Sequence, residues 1–168
     1  EVLKTIQKHK PTLFPGAPTI YIGLLNHPKI NDYDLSSIKA CISGSASLPV
    51  EVQEQFEKIT KGKLVEGYGL TETSPVTHAN PIWGRRVNGS IGLPWPNTDA
   101  KIVEEGTTKE LPIGEVGEIA VKGPQVMRGY WNNKEETDQV LKDGWLLTGD
   151  MGRMDEDGYF YVVDRKGD

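Results

Sequence analysis

Residues 67–75 read GYGLTETSP. Gly67 and Gly69 let backbone N–H groups approach a ligand closely. Tyr68 offers a flat face to a base, a stacking contact worth about 1–3 kcal/mol. Thr71 can donate its hydroxyl to a phosphate oxygen. Glu72 can hold Mg²⁺, an ion that takes one or two carboxylates together with phosphates. The same stretch also reads as a plain strand-to-turn crossing with a capping threonine, and both readings stand on these residues alone. It is not a Walker A loop, because no lysine follows the glycines, nor a dinucleotide fingerprint, because the glycine spacing differs. Further on, GWLLTGD sets Asp150 just after an apolar strand, where it could accept two hydrogen bonds from a ribose diol or hold a glycine turn. Arg165 in VVDRKGD is either a solvated charge at a strand end or a clamp for phosphate or ribose.

Other reactive side chains point to structure. Cys41 is the single cysteine, so no intrachain disulfide can form, and a reducing compartment is expected. Its setting in IKACIS reads as a buried structural thiol. His9, His27 and His78 lie far apart without metal-ligand spacing and read as surface or turn residues. Trp83, Trp95, Trp131 and Trp145 read as packing for the second half. No Ser/His/Asp arrangement is suggested.

The elements that must position these residues fall into two patterns. In the first, EVLKTIQKHKP is a helix with Val2, Leu3 and Ile6 on one face and Pro11 as its stop. TLFPGAP reads as a short strand and turn. Pro18 then opens a helix carrying Ile20, Leu24 and Leu25, ended by Pro28. SIKACIS (37–43) is an apolar strand leading into the small-residue loop GSAS. A helix follows from Pro49 to Lys61, with Val52, Phe56 and Ile59 on one face and Gly62 as its end. KLVEGYG is the next strand. Strand, loop, helix, strand is the signature of a parallel α/β layer, where ligands sit beyond the carboxyl ends of strands. From about Pro81 the pattern changes to short segments broken by Gly and Pro. GEIAVKG alternates as a half-buried strand, with Ile119 and Val121 on one face and Glu118, Ala120 and Lys122 on the other. One helix is expected over 134–141, capped by Asn133 with Glu136 three residues later. GWLLTGD and GYFYVVD form two strands joined through MDEDG. The expected fold class is α/β plus mostly-β: part of a parallel-sheet subdomain over 1–82, then an antiparallel, barrel-like subdomain over 83–168.

Composition sets bounds. The 168 residues suffice for one or two domains. A net charge of −5, from 19 Lys plus Arg against 24 Asp plus Glu, argues against nucleic acid as a partner. No run approaches the ~18 apolar residues of a membrane span. No signal peptide is visible, and a cytoplasmic setting is expected, with peripheral membrane contact and oligomeric state left open. The 19 glycines and 11 prolines match many turns. The chain starts inside a helical pattern and stops straight after a strand, so an internal piece of a longer protein is expected.

Taken in order, ISGSASLP, GYGLTETSP, GEIAVKGPQVMRGYWNNKEET and GWLLTGDMGRMDEDGYFYVVDRKGD resemble successive motifs of the adenylate-forming superfamily: acyl-CoA synthetases, firefly luciferases and peptide-synthetase adenylation domains. The resemblance covers nearly the whole chain. GYGLTETSPV and VMRGYWNN look most like bacterial long-chain fatty acid–CoA ligases. The resemblance implies that a carboxylic acid and ATP give an acyl-adenylate and pyrophosphate, after which coenzyme A displaces AMP. It implies ATP, Mg²⁺ and coenzyme A as cofactor and cosubstrates. By resemblance, Gly44, Ser45 and Ala46 line the adenine, Tyr68 stacks on it, and Glu66, Gly67, Gly69 and Leu70 surround it. Thr71 contacts the α-phosphate and Glu72 coordinates Mg²⁺. Asp150 holds the ribose hydroxyls, Arg165 reaches ribose or phosphate, and Val162 touches the nucleotide edge. The acyl pocket is expected near residues 44–46 and 67–71.

The family's Gly/Ser/Thr-rich pyrophosphate loop is expected before residue 1, and its small lysine-bearing domain after residue 168. The isolated chain is therefore expected to be inactive. By the same resemblance, Gly167 falls at the hinge where relatives commonly carry Lys or Asp, and glycine there would loosen it. Two alternatives remain open. One is an amino-acid or aryl-acid adenylation enzyme. The other is a catalytically silent interaction module, against which Thr71, Glu72 and Asp150 all argue by being present.

Overall fold

The apolar spacing of the first residues makes a helix, α1 (Val2–His9), that buries Leu3 and Ile6 and leaves Val2 exposed. Lys10 ends it in the left-handed conformation, one residue before Pro11. The structure, a computed structural model, describes residues 1–165, with Arg165 described in its backbone only. Gly167 lies outside the described residues. The chain forms two compact units: Glu1–Gly67 with Asn80–Gly89, and Tyr68–Ala79 with the chain from Ser90 onward. It crosses between them after residues 67, 79 and 89, where the sequence suggested one cut after 82.

In the first unit, α2 (Pro18–Leu25) starts on Pro18, whose missing N–H costs nothing in a first turn. It buries Tyr21 and Leu24. β1 (Ala40–Ser43) is joined through α3 (Val50–Thr60) to β2 (Lys63–Gly69), and β1 pairs with β2 in parallel, Ala40 opposite Lys63 and Ser43 opposite Glu66. The short strand expected in TLFPGAP is present as parallel bridges from Leu13 to Ala40 and Gly16 to Ser43. The helix–strand packing buries one core that includes Leu3, Ile6, Tyr21, Ile38, Phe56 and Leu64. Cys41 belongs to it, and burial pushes its thiol up to about 12, so it is an inert core group as expected. The Arg86 guanidinium grips the Glu57 carboxylate with both arms, one at 2.8 Å, beside the Leu64 carbonyl. α3 ends on Lys61 at φ 63°, not on Gly62. Gly62 answers a different need: a Cβ there would lie 2.5 Å from the Ile38 carbonyl oxygen.

In the second unit, β3 (Val76–Ala79) pairs antiparallel with β4 (Leu93–Pro94). An antiparallel sheet follows, built from β5 (Asp99–Val103), β6 (Gly117–Lys122), β7 (Leu141–Lys142), β8 (Trp145–Met154) and β9 (Phe160–Arg165). Its order is β5–β6–β8–β7, with β9 paired to β8. Irregular register between Glu118 and Ala120, and between Met151 and Gly152, marks the bulges that curl such a sheet. The helix α4 (Lys134–Val140) is capped as expected, Asn133 Oδ1 accepting from the Glu136 N–H at 3.1 Å. The α/β and antiparallel classes are both present.

Three expectations fail here. β6 is not half-buried: it is central, and Glu118 and Ala120 are as buried as Ile119 and Val121, with Lys122 alone exposed. Its two faces meet different clusters, one around Ile102 and Phe160 and one around Val103 and Leu147. His78 is not a surface residue but fully buried. The tryptophans do not pack the second half as a set: Trp83 and Trp131 are 80% and 92% exposed, because each sits in a loop rather than on a strand face. Trp145 does pack, under the Lys101 ammonium at 4.4 Å from its ring.

Candidate functional site

The GYGLTETSP segment is shaped by hydrogen bonds that close on Pro75. The Leu70 N–H donates to the Pro75 carbonyl at 3.0 Å, and the buried Thr73 hydroxyl donates to the same oxygen at 2.6 Å. A Cβ at Gly69 would stand 1.8 Å from that oxygen, so the turn admits only glycine. The turn Thr71–Thr73 then presents Thr71 to solvent and Glu72 half-buried.

Glu72 is held twice. Its carbonyl accepts from the Met127 N–H at 2.7 Å, and its Oε1 accepts from the Tyr130 hydroxyl at 2.9 Å. Burial first, then the bond to Glu72 and its charge, push that hydroxyl up to about 12, so it remains a donor at neutral pH. The hydrogen bond from Tyr130 takes Oε1, and among the described residues none reaches Oε2 of Glu72. A cavity of about 240 Å³ opens here, lined by Glu72 and Tyr130 with Glu118, Val140 and Thr148. Among the described residues no three His, Cys, Asp or Glu side chains gather as a metal cluster. An ion at Glu72 would therefore draw its other ligands from phosphates and water, as Mg²⁺ does with nucleotides. One accessible carboxylate beside an exposed threonine fits that ion.

Asp150 lies on β8 and is 7% exposed. Its Oδ2 accepts from the Tyr68 hydroxyl at 2.5 Å. The irregular stretch of β8 before it is fixed by Glu118, whose buried carboxylate accepts from the Gly149 N–H at 2.8 Å and the Gly106 N–H at 2.9 Å. Gly149 takes φ 75°, which suits glycine. Tyr68 itself is 6% exposed, its ring edge-on to His78 at 5.9 Å. Asp150 stands opposite Arg165 in the β8–β9 register, so the two backbones meet. The Arg165 side chain lies outside the described residues. Val162, opposite Gly152, packs half-buried on the cluster around Phe160.

The first unit carries the remaining residues. Gly44, Ser45 and Ala46 follow β1, with Ser45 exposed at φ 72° and Ala46 exposed beside it. A Cβ at Gly44 would sit 3.9 Å from the Gly67 carbonyl oxygen, so the GSAS loop and the end of β2 are neighbours. Glu66 is half-buried, and burial pushes its carboxyl up to about 7 against the opposing pull of the Leu48 N–H.

The structure thus groups 44–46 with 66–67 in one unit, and Tyr68 with Asp150 in the other. Sequence reasoning missed Tyr130 and Glu118. Tyr130 stands in VMRGYWNN, a stretch read for its resemblance and not for chemistry. Glu118 was placed on a solvent face by the alternation of GEIAVKG, and nothing local signals its two N–H partners. No helix among the described residues is long and apolar enough to cross a membrane.

A family model described as AMP-binding enzyme matches residues 1–131. The chain is 70% identical over all 168 residues to a long-chain-fatty-acid–CoA ligase of Bacillus subtilis, of whose length it covers 30%. It superposes on the anthranilate CoA ligase AuaEII, solved with anthranoyl-AMP, at a TM-score of 0.90 and 34% identity, covering 98% of this chain and 31% of that one. ATP-bound MatB from Rhodopseudomonas palustris superposes at 0.85 and 36%, over 97% of this chain and 33% of that one.

Proposed function

Because the chain belongs to the AMP-binding enzyme family, we propose that it is the nucleotide-handling portion of an ATP-dependent fatty acid–CoA ligase. The observation that carries the reading is the 70% identity, running the whole length of the chain, to a protein of that name. Its geometry supports the same assignment. The turn at Thr71–Thr73 offers one exposed hydroxyl and one oriented carboxylate, which suits a phosphate and its cation. Thr71 donates to the α-phosphate and Glu72 holds Mg²⁺, with Asp150 on the ribose hydroxyls. Gly44, Ser45, Ala46, Glu66 and Gly67 serve the adenine, as do Tyr68, Gly69 and Leu70. Val162 and Arg165 serve the nucleotide edge and ribose.

In the first half-reaction a carboxylate oxygen of the acid attacks the α-phosphorus, and the bond to pyrophosphate breaks. In the second, the CoA sulfur attacks the acyl carbon, its proton passes to solvent and AMP leaves. Both reactants of the first step are anions, so this site works by positioning and by neutralising charge rather than through a strong base. Bound Mg²⁺ would supply that neutralisation.

A second reading, an aryl acid as substrate, is favoured by the likeness to the anthranilate ligase. ATP–pyrophosphate exchange by the full-length polypeptide carrying this chain, screened over acid classes, separates the two. Fatty acids are expected to drive exchange. Exchange with aryl or amino acids alone overturns the fatty-acid reading.

A further inference from the structure

We propose that Tyr130 is a positioning residue for Glu72, holding one carboxylate oxygen so that the other is presented to the cation of a metal–nucleotide complex. The inference rests on the metal role given to Glu72 above. It starts from a helix that packs little: α4 has seven residues, none fully buried, and Val140 at its end is the one that rests on the core cluster around Phe160. What it does is hold Tyr130. Asn133 caps the helix, the Thr137 hydroxyl donates back to the Asn133 carbonyl at 2.7 Å, and Thr137 Oγ1 accepts from the Tyr130 N–H at 2.9 Å. Gly129, at φ 148°, lets this happen, since a Cβ there would lie 2.7 Å from the Thr137 methyl. The backbone before Tyr130 is tied to the same acid through the Met127 N–H and the Glu72 carbonyl, 2.7 Å apart. The Tyr130 hydroxyl then reaches Glu72 Oε1 at 2.9 Å. Two bonds, one to backbone and one to side chain, fix where the carboxylate points. Partners of a metal-binding carboxylate matter in this way because they spare the ligand a search among rotamers.

The test uses the full-length polypeptide carrying this chain, with Mn²⁺ as the probe ion and its affinity in the presence of ATP read by electron paramagnetic resonance. Tyr130→Phe is expected to weaken Mn²⁺ binding roughly tenfold, and Glu72→Gln at least as much. The double variant should be no weaker than Glu72→Gln alone, because both act through one carboxylate. A double variant weaker than Glu72→Gln alone by the full Tyr130→Phe loss assigns the effect to packing away from this carboxylate and overturns the proposal. Unchanged binding in Tyr130→Phe, with loss in Glu72→Gln, overturns it while leaving the Glu72 reading intact. Unchanged binding in Glu72→Gln removes both.

Discussion

His78 has no role in the proposed reaction, yet its ring is fully buried, 4.6 Å from Phe160 and 5.9 Å from Tyr68. Nδ1 meets the Thr77 hydroxyl at 2.9 Å, and Nε2 has no hydrogen-bond partner among the described residues. Burial lowers its pKa from 6.5 to about 3, so the fold requires the neutral ring. The unfolded chain takes up a proton below its own value, and the folded one does not until about pH 3. Stability from this residue is therefore complete above pH 6.5 and falls as pH drops toward 3. Glu66 runs the other way: its pKa is raised from 4.5 to about 7, so its contribution is complete below 4.5 and is lost as pH rises through 7. The two overlap between pH 4.5 and 6.5, which makes the wild-type curve a poor reporter. The difference between wild type and His78→Phe isolates the histidine. Denaturant unfolding from pH 7 to 4 should show the variant losing less stability than wild type. Parallel curves would mean that His78 titrates as an exposed group. Composition and spacing could not show this, because a lone histidine has the same local signature inside or outside a core.

At the level of elements, two glycines beside the candidate site answer different demands. Gly69 is required by the fold, since its Cβ would strike the Pro75 carbonyl oxygen at 1.8 Å. Gly44 is not: its φ lies outside the left-handed region and its nearest backbone neighbour would be 3.9 Å away. Gly69→Ala is expected to destabilise the chain by at least about 2 kcal/mol, and Gly44→Ala to change it by less than about 0.5 kcal/mol. Urea midpoints with a common slope provide the measurement. A Gly44→Ala loss as large as that of Gly69→Ala would show that the GSAS loop is a packing feature and not a surface for a ligand. The elements themselves were largely legible. Pro18, the Asn133–Glu136 cap and the Phe56 stripe each act within a turn of their own position, so local chemistry suffices. β6 was misjudged because which sheet faces are covered depends on strands far away in the chain.

For the molecule as a whole, the chain spans 30% of the length of the Bacillus subtilis relative, and a complete ligase cycle is a property proposed for the longer polypeptide. The purified 168-residue chain is expected to form no CoA thioester from fatty acid, ATP and Mg²⁺ under conditions where the full-length polypeptide does. Robust thioester formation by the chain alone, followed by mass spectrometry, would refute this. The sequence by itself determined the helices α1 to α4, the strands β1, β2, β6, β8 and β9, the glycine turn and the order of the motifs, because each is written in neighbouring residues, but not β3, β4 or β7. The placement of Thr71 and Glu72 just past the end of β2 was legible for the same reason, whereas Asp150, expected just after a strand, lies inside β8, which runs on to Met154. Tertiary structure alone decided what holds them. Tyr130 reaches Glu72 across 58 residues and Tyr68 reaches Asp150 across 82. Glu118 accepts from N–H groups of two separate segments, Gly106 in a turn and Gly149 within β8. A hydrogen bond depends on where two chain segments are brought, and no spacing along one segment records the position of the other.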